Sequence, residues 1–373
     1  MAERFSTVSA DGIELVLDLV VGHIRSLRIE QSGRWLEPLH TAPWVEDADI
    51  VEDQSIDPGL RWLSGDFLCA PFAASDVEPA PGHGWPANSP WRLLDIERKG
   101  SAVTARYELE RRVLGARITK ELILRDGHPF LYERHVFAGG EGTLPVANHA
   151  MTSFGPGGGR LFFSSKRFGE TLNTAIETDP TMGRVALAYP AHFDSPQEVP
   201  RAEGGTANIT RYPFASRHED FAMLVEAEGR ELGWAAALRS DTSDMFLSLK
   251  HPVELPVTML WFSNGGRDYR PWNGRHVGVL GVEEGRSYAA HGHRASIAGN
   301  PLSAAGIPTF LELSSDGEVS VRNVIGGLAT EPGWEVVTAL EASDRRLRVS
   351  GDRGTLEVPF DTDFLKGAPS WLP

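Results

Sequence analysis

Three short stretches of the chain bring together side chains able to move protons or meet hydroxyl groups. The first, GHGWPANSPW (82–91), packs His83, Trp85, Asn88 and Trp91 between glycines and prolines, with no room for a regular helix or a long strand. An indole offers a flat apolar platform for one face of a sugar ring, and His and Asn supply oriented hydroxyl partners. The same composition also suits a rigid loop whose aromatics plug an edge of the core, and histidines pack more often than they catalyse. The second stretch, NHAMTSFG (148–155), follows an alternating run and sets His149 at a strand end, free to point into a cleft or to bond a neighbouring backbone group. In the third, LGVEEG (280–285), Glu283 and Glu284 close an apolar strand. Alternation sends them to opposite faces, so one turns inward if both faces are covered. A buried carboxyl is costly unless partnered, and clefts are where such groups occur. If the strand stops at Val282, both are simply solvated.

These candidates must be held by strands, because nearly the whole chain alternates. SAVTARYELERRV (101–113) and ARITKELILRDGHPFLYERHVFAG (116–139) are the clearest runs, the latter broken by Arg125-Asp126-Gly127. An Asp-Gly step between alternating runs is a strong hairpin signal. Similar runs recur at about 10-residue spacing towards the C-terminus, bounded by Gly, Pro, Asp, Asn or Ser, the pattern of an antiparallel sandwich or barrel. No segment sustains a helical apolar period, although VEDADIVEDQSI (45–56) has the makings of one helical turn. No repeat of solenoid length occurs. Residues 176–210, with Pro180, Pro190, Pro196 and Pro200, are the most irregular region, as expected of a functional loop or an edge cover. The expected organisation is one domain over 1–328 and a C-terminal β extension, 329–373, packed on the same domain.

Composition narrows the partners. Among 373 residues, 51 acidic against 36 basic side chains give a net charge of −15, which disfavours nucleic acid and anionic membrane surfaces. One cysteine, Cys69, excludes an internal disulfide framework. No apolar run approaches the roughly 18 residues of a membrane span, and the N-terminus lacks a signal-peptide order, so a cytoplasmic location is expected. Several weaker signals carry less. FGPGGGR (154–160) lacks the Gly-Lys-Ser/Thr ending of a phosphate cradle. His291 and His293, with His276 upstream, do not define a third metal ligand. Arg267, Arg270 and Arg275 read as solvated loop charges, because nothing in their spacing makes them converge.

Taken in order, the three stretches resemble the aldose 1-epimerase (galactose mutarotase-like) superfamily. Its His-Gly-aromatic loop is matched by His83-Gly84-Trp85, followed by Ser89-Pro90-Trp91. Its Asn-His pair is matched by Asn148-His149, and its later Trp strand and Glu-ended strand by MLWFSNGG (259–266) and Val282-Glu283. The resemblance covers about residues 10–325. It implies an all-β fold, a large antiparallel β-supersandwich with few or no helices. It also implies interconversion of the α and β anomers of a sugar by acid/base ring opening and closure, with no metal or organic cofactor. By position Glu283 would be the base, His149 the acid on the far side of the reacting centre, and His83 a hydrogen-bond partner near the ring oxygen. Trp85, Asn88, His218, Glu219 and Asp220 would bind the substrate, the last three from SRHEDFAML (216–224) after alignment on Phe221. The family's arginine before the first His has no counterpart between Cys69 and His83, the nearest being Arg61. The expected partner is a small-molecule carbohydrate, with a homodimer compatible; a carbohydrate-binding protein without turnover is the alternative.

Overall fold

The computed structural model describes residues 3–367. Two antiparallel sheets dominate it. The nine-stranded sheet runs, in spatial order, through Arg211–Tyr212, Gly159–Phe163, Gly233–Arg239, Asp244–Lys250, Glu318–Ala329, Phe130–Ala138, Arg117–Arg125, Ala102–Leu109 and Trp91–Lys99. The seven-stranded sheet runs through His192–Phe193, Lys166–Glu170, His218–Glu226, Val257–Asn264, Val279–Arg286, Val146–Ser153 and Leu68–Cys69. The alternation read from the sequence is visible in burial: along Ala102–Leu109 every second residue is buried, as a strand with one face on the core requires. The helices among the described residues are four, each of four or five residues, plus one turn of 3-10 helix. One of them, Ala48–Val51, falls within the stretch singled out for a helical turn.

The inner faces of the two sheets meet in the largest apolar cluster, which includes Tyr107, Leu122, Phe137, Ala150, Leu224, Phe246, Phe262 and Leu280. The N-terminal four-stranded sheet, Phe5–Ala10 to Arg34–Leu36, closes one end of this core through Ile13, Leu15 and Leu27. The outer face of the nine-stranded sheet is covered by a three-stranded sheet, Val337–Ser343, Arg346–Gly351 and Gly354–Pro359. Leu347, Val349 and Phe360 of that segment pack on Tyr132, Leu247 and Val324. The chain ends outside this description, since the Pro-ended tail at 368–373 and residues 1–2 lie beyond the described residues. No helix among the described residues is long and apolar enough to cross a membrane.

The seven-stranded sheet carries the candidate site, and both of its faces are covered. Its odd-numbered residues in the Glu283 strand, and those level with them in neighbouring strands, face a second apolar cluster containing Phe67, Phe72, Phe221, Met259, Trp261 and Trp272. Its even-numbered residues there face the main core. Glu283 and Glu284 therefore part company as alternation requires. Glu284 enters the interior, where Lys250 Nζ lies 2.5 Å from it and Thr258 Oγ1 donates to it at 2.8 Å. Lys250 also meets Glu226, which is held by Lys166. Two ammonium groups and two carboxylates, all buried, balance one another, which such charges need in a low-dielectric interior.

Candidate active site

His149 and Glu283 are directly opposite each other across the antiparallel pair of Val146–Ser153 and Val279–Arg286. Opposed side chains on one face of such a pair start about 5 Å apart at Cβ, so strand register alone brings them together. Nε2 of His149 lies 3.2 Å from Oε1 of Glu283. Neither residue stands at a strand end: the pairing continues to Val146 opposite Arg286, past both of them. The two side chains, expected on opposite sides of a reacting centre, are in direct contact. Gly281, two residues before Glu283 and on the same face, leaves the room for this carboxyl. A Cβ there would stand 2.9 Å from Glu283 Oε1 and 3.1 Å from Trp261 Cβ.

The His83 loop arrives from the other side. His83 adopts a left-handed backbone, φ 64°, and is followed by Gly84 at φ 75°. Gly84 lies so close to the Leu68–Cys69 strand end that a Cβ would fall 2.0 Å from the Ala70 carbonyl oxygen, so only glycine fits. This turn sets the His83 ring edge-on to His149, centroids 5.4 Å apart, while Phe67 stacks on His149 at 4.6 Å. A non-glycine residue in the left-handed region is a strained feature of the kind that gathers at functional sites.

Burial governs the charges. Glu283 is 1% exposed and its carboxyl is pushed well above the usual carboxylate range by desolvation. His149, 4% exposed, is held well below the usual imidazole range, first by burial and then by the neighbouring His83. Burial lowers His83 to about 4. Burial thus disfavours charge on both members of the pair. Glu283 Oε2, His149 Nδ1 and His83 Nδ1 have no protein partner, and all three residues line a cavity of about 310 Å³ with Phe67, Phe72, Trp261 and Trp272.

The other candidates divide. Asn88 reaches the cavity wall but is spent on the loop itself. Its Oδ1 accepts from Gly59 N–H at 2.8 Å and its Nδ2 donates to the carbonyls of Gly82 and Gly84. Trp85 is not brought to the cavity; it packs on the main core with the Arg111 guanidinium 4.2 Å over its ring. His218 and Asp220 lie on the opposite face from Phe221 and do not reach the cavity. His218 Nδ1 bonds Asp220 at 2.8 Å, and Asp220 accepts from the Ala186 and Leu187 amides and the Tyr189 hydroxyl. Glu219, one residue along, is on the cavity side, accepting from Trp261 Nε1 at 2.6 Å and Ser263 Oγ at 3.0 Å. Burial, offset by Arg267, pushes its carboxyl up to about 7. Arg61 does not supply the absent arginine, since its guanidinium donates to the Val51 carbonyl.

Arg267 corrects the reading of solvated loop charges. It lines the cavity, is 16% exposed, lies 4.5 Å over the Trp272 ring, and is clamped by Glu177 at 2.5 Å and Glu219 at 3.5 Å. Arg270 and Arg275 are the exposed ones, paired with Asp53 and Asp47. Glu177 belongs to the irregular 176–210 stretch, which thus contributes to the site wall through Ile176. A hint lay only in its place between Trp261, within the Val257–Asn264 strand, and Trp272; its spacing from the other arginines held none. His276 and His293 are committed to Ser263 and the Thr143 carbonyl, and no cluster of three metal-ligating side chains occurs among the described residues.

The antiparallel sandwich is a fold already known among solved structures. The chain resembles a protein of Escherichia coli K12 provisionally assigned as an aldose 1-epimerase, with TM-score 0.56, 12% identity, and 87% of this chain matched to 99% of that one. A galactose mutarotase-like protein of Clostridium acetobutylicum gives TM-score 0.53, 11% identity and coverage of 87% and 95%. A galactose mutarotase related enzyme of Lactobacillus acidophilus gives TM-score 0.50, 11% identity and coverage of 87% and 98%. No family model matches the chain, and no curated protein matches it by sequence. The fold is the galactose mutarotase-like β-sandwich.

Proposed function

We propose that the protein is an aldose 1-epimerase-like isomerase, interconverting the α and β anomers of a sugar. The observation that carries this is the contact between His149 and Glu283, 3.2 Å apart at the floor of a cavity. Mutarotation takes a proton from the anomeric hydroxyl and gives one to the ring oxygen. The C1–O5 bond breaks to the open-chain aldehyde, the C1–C2 bond rotates, and the steps reverse on the other face. Both oxygens are bonded to the same carbon, so an acid and a base in contact suit them better than groups set far apart. Burial favours a protonated Glu283 and a neutral His149, so Glu283 gives its proton to the ring oxygen as His149 takes that of the anomeric hydroxyl, the reverse of the roles the resemblance implies. Ring closure returns both protons and restores the pair. General acid/base assistance of this kind contributes about 10²–10⁴-fold. His83, edge-on to His149, stands at the same end of the cavity.

Two observations favour the second reading, a carbohydrate-binding protein without turnover: Arg61 is turned away, and Arg267 is paired with two carboxyl groups. The two readings separate in exchange NMR of anomeric protons over a panel of aldoses. Isomerase action accelerates exchange above the uncatalysed rate; binding with no acceleration sinks it and leaves the binder.

A further inference from the structure

The cavity has a second set of open polar atoms, away from the His/Glu floor. Arg267 and Trp272 both line it. Of the three guanidinium nitrogens of Arg267, Nε donates to Glu177 at 2.5 Å and Nη1 lies 3.5 Å from Glu219. Nη2 has no partner among the described residues, and neither has the indole Nε1 of Trp272. Both groups are held in place. The two carboxyl groups fix the guanidinium, whose carbon lies 4.5 Å from the centre of the Trp272 ring. That ring is in turn wedged edge-on against Trp44, Trp261 and His276, with centroids 4.8, 5.8 and 5.2 Å away. Two fixed donors side by side, open to a cavity, form a place prepared for an acceptor oxygen.

The distance to the floor says which oxygen. Trp261 lies between, its ring 5.7 Å from that of His149 and 6.0 Å from the Arg267 guanidinium. Those two contacts end to end set the widest gap between the histidine and the arginine. One six-membered sugar ring, with a hydrogen bond of about 2.9 Å at each end, bridges such a gap while lying against the Trp261 indole. In a pyranose the carbon across the ring from C1 is C4. Resting on the isomerase reading, which puts C1 at His149 and Glu283, we infer that Arg267 and Trp272 bind the C4 hydroxyl of an aldohexose and so determine which sugars the site takes. A hydroxyl oxygen carries two lone pairs, one for each N–H. The loop after the Val257–Asn264 strand thereby supplies the cationic donor that the segment between Cys69 and His83 lacks.

The test is isothermal titration calorimetry on the full chain with D-glucose, D-galactose and 4-deoxy-D-xylo-hexose, the one sugar that both become when the C4 hydroxyl is removed. The better of the two hexoses should bind about 10-fold or more tighter than the deoxy sugar, as loss of a hydrogen bond to a charged donor implies. Trp272→Phe keeps an aromatic ring and removes the N–H, whereas Arg267→Lys keeps a cation for Glu177 and Glu219 and withdraws Nη2. Each should narrow the gap to about 3-fold or less. Damage to packing would instead weaken all three sugars alike and leave the ratio unmoved. A wild type that binds the deoxy sugar as tightly as the better hexose, or binds none of the three, overturns the inference, as does a ratio unmoved in both variants. Anomeric exchange measured on the same sugars keeps the readings apart. Exchange without the binding preference overturns the inference and leaves the isomerase. The binding preference without exchange upholds the C4 contact and defeats the isomerase.

Discussion

Gly281→Ala tests whether the position of the Glu283 carboxyl, and not merely its presence, sets the rate. The backbone at 281 is not in the left-handed region, so the added methyl acts through space alone. It would meet Glu283 Oε1 at 2.9 Å and Trp261 Cβ at 3.1 Å, whereas an ordinary contact needs about 3.5 Å or more. The carboxyl is the end of a flexible side chain and yields by about half an ångström, lengthening its 3.2 Å contact with His149 beyond hydrogen-bond range. Misplacement by 1 Å can cost about 10²-fold, so a shift of half that predicts roughly a 10-fold fall, about 1.4 kcal/mol in the barrier. Stability should change by less than about 1 kcal/mol, since replacing a strand glycine recovers about what the contact costs. Exchange NMR gives the rate and urea unfolding the stability. A folded Gly281→Ala protein with the wild-type rate would refute the reasoning, because the carboxyl would then tolerate displacement.

Three further substitutions probe the surroundings. His83 is lowered to about 4 by burial, so between that value and its ordinary 6.5 the unfolded chain binds the extra proton and stability falls as pH drops. His83→Asn should remove at most about 2 kcal/mol of the loss between pH 7 and pH 5, the ring being partly open to the cavity; parallel pH profiles for wild type and variant would contradict this. Arg267→Met leaves Glu177 and Glu219 without their cation and should cost about 3–5 kcal/mol in urea unfolding, with Glu219→Gln in the same chain recovering part of it. Leu347→Ala, in the wholly buried interface of the C-terminal sheet, should cost about 2–5 kcal/mol and lower one unfolding transition common to fluorescence and circular dichroism. Separate transitions would mean that the 329–367 segment does not fold with the sandwich.

Local pattern reached the strands because burial of one face writes itself into every second residue, as in Ala102–Leu109. It also placed Glu283 and Glu284 on opposite faces. It could not say which strands lie side by side, and Val146–Ser153 pairs with Val279–Arg286 across more than a hundred residues. The motif order supplied that convergence for His83, His149 and Glu283. Where register decided the outcome, a single residue mattered: Glu219 turns to the cavity, while His218 and Asp220 turn to the loop at Ala186 and Leu187. Trp85 missed because its ring is drawn to Arg111 and the main core. Arg267 was illegible from spacing, since its partner Glu177 lies 90 residues earlier in a stretch without regular strands.

The most direct test of the pair is a double-mutant cycle in anomeric exchange, with wild type, Glu283→Gln, His149→Asn and the double variant compared on one sugar. Two groups that work in the same step act as a unit, so each single change should lower the rate by about 10²–10⁴-fold, and the double change should fall no further than the worse single one. Independent, multiplying losses, or a wild type that accelerates no exchange, would contradict the account.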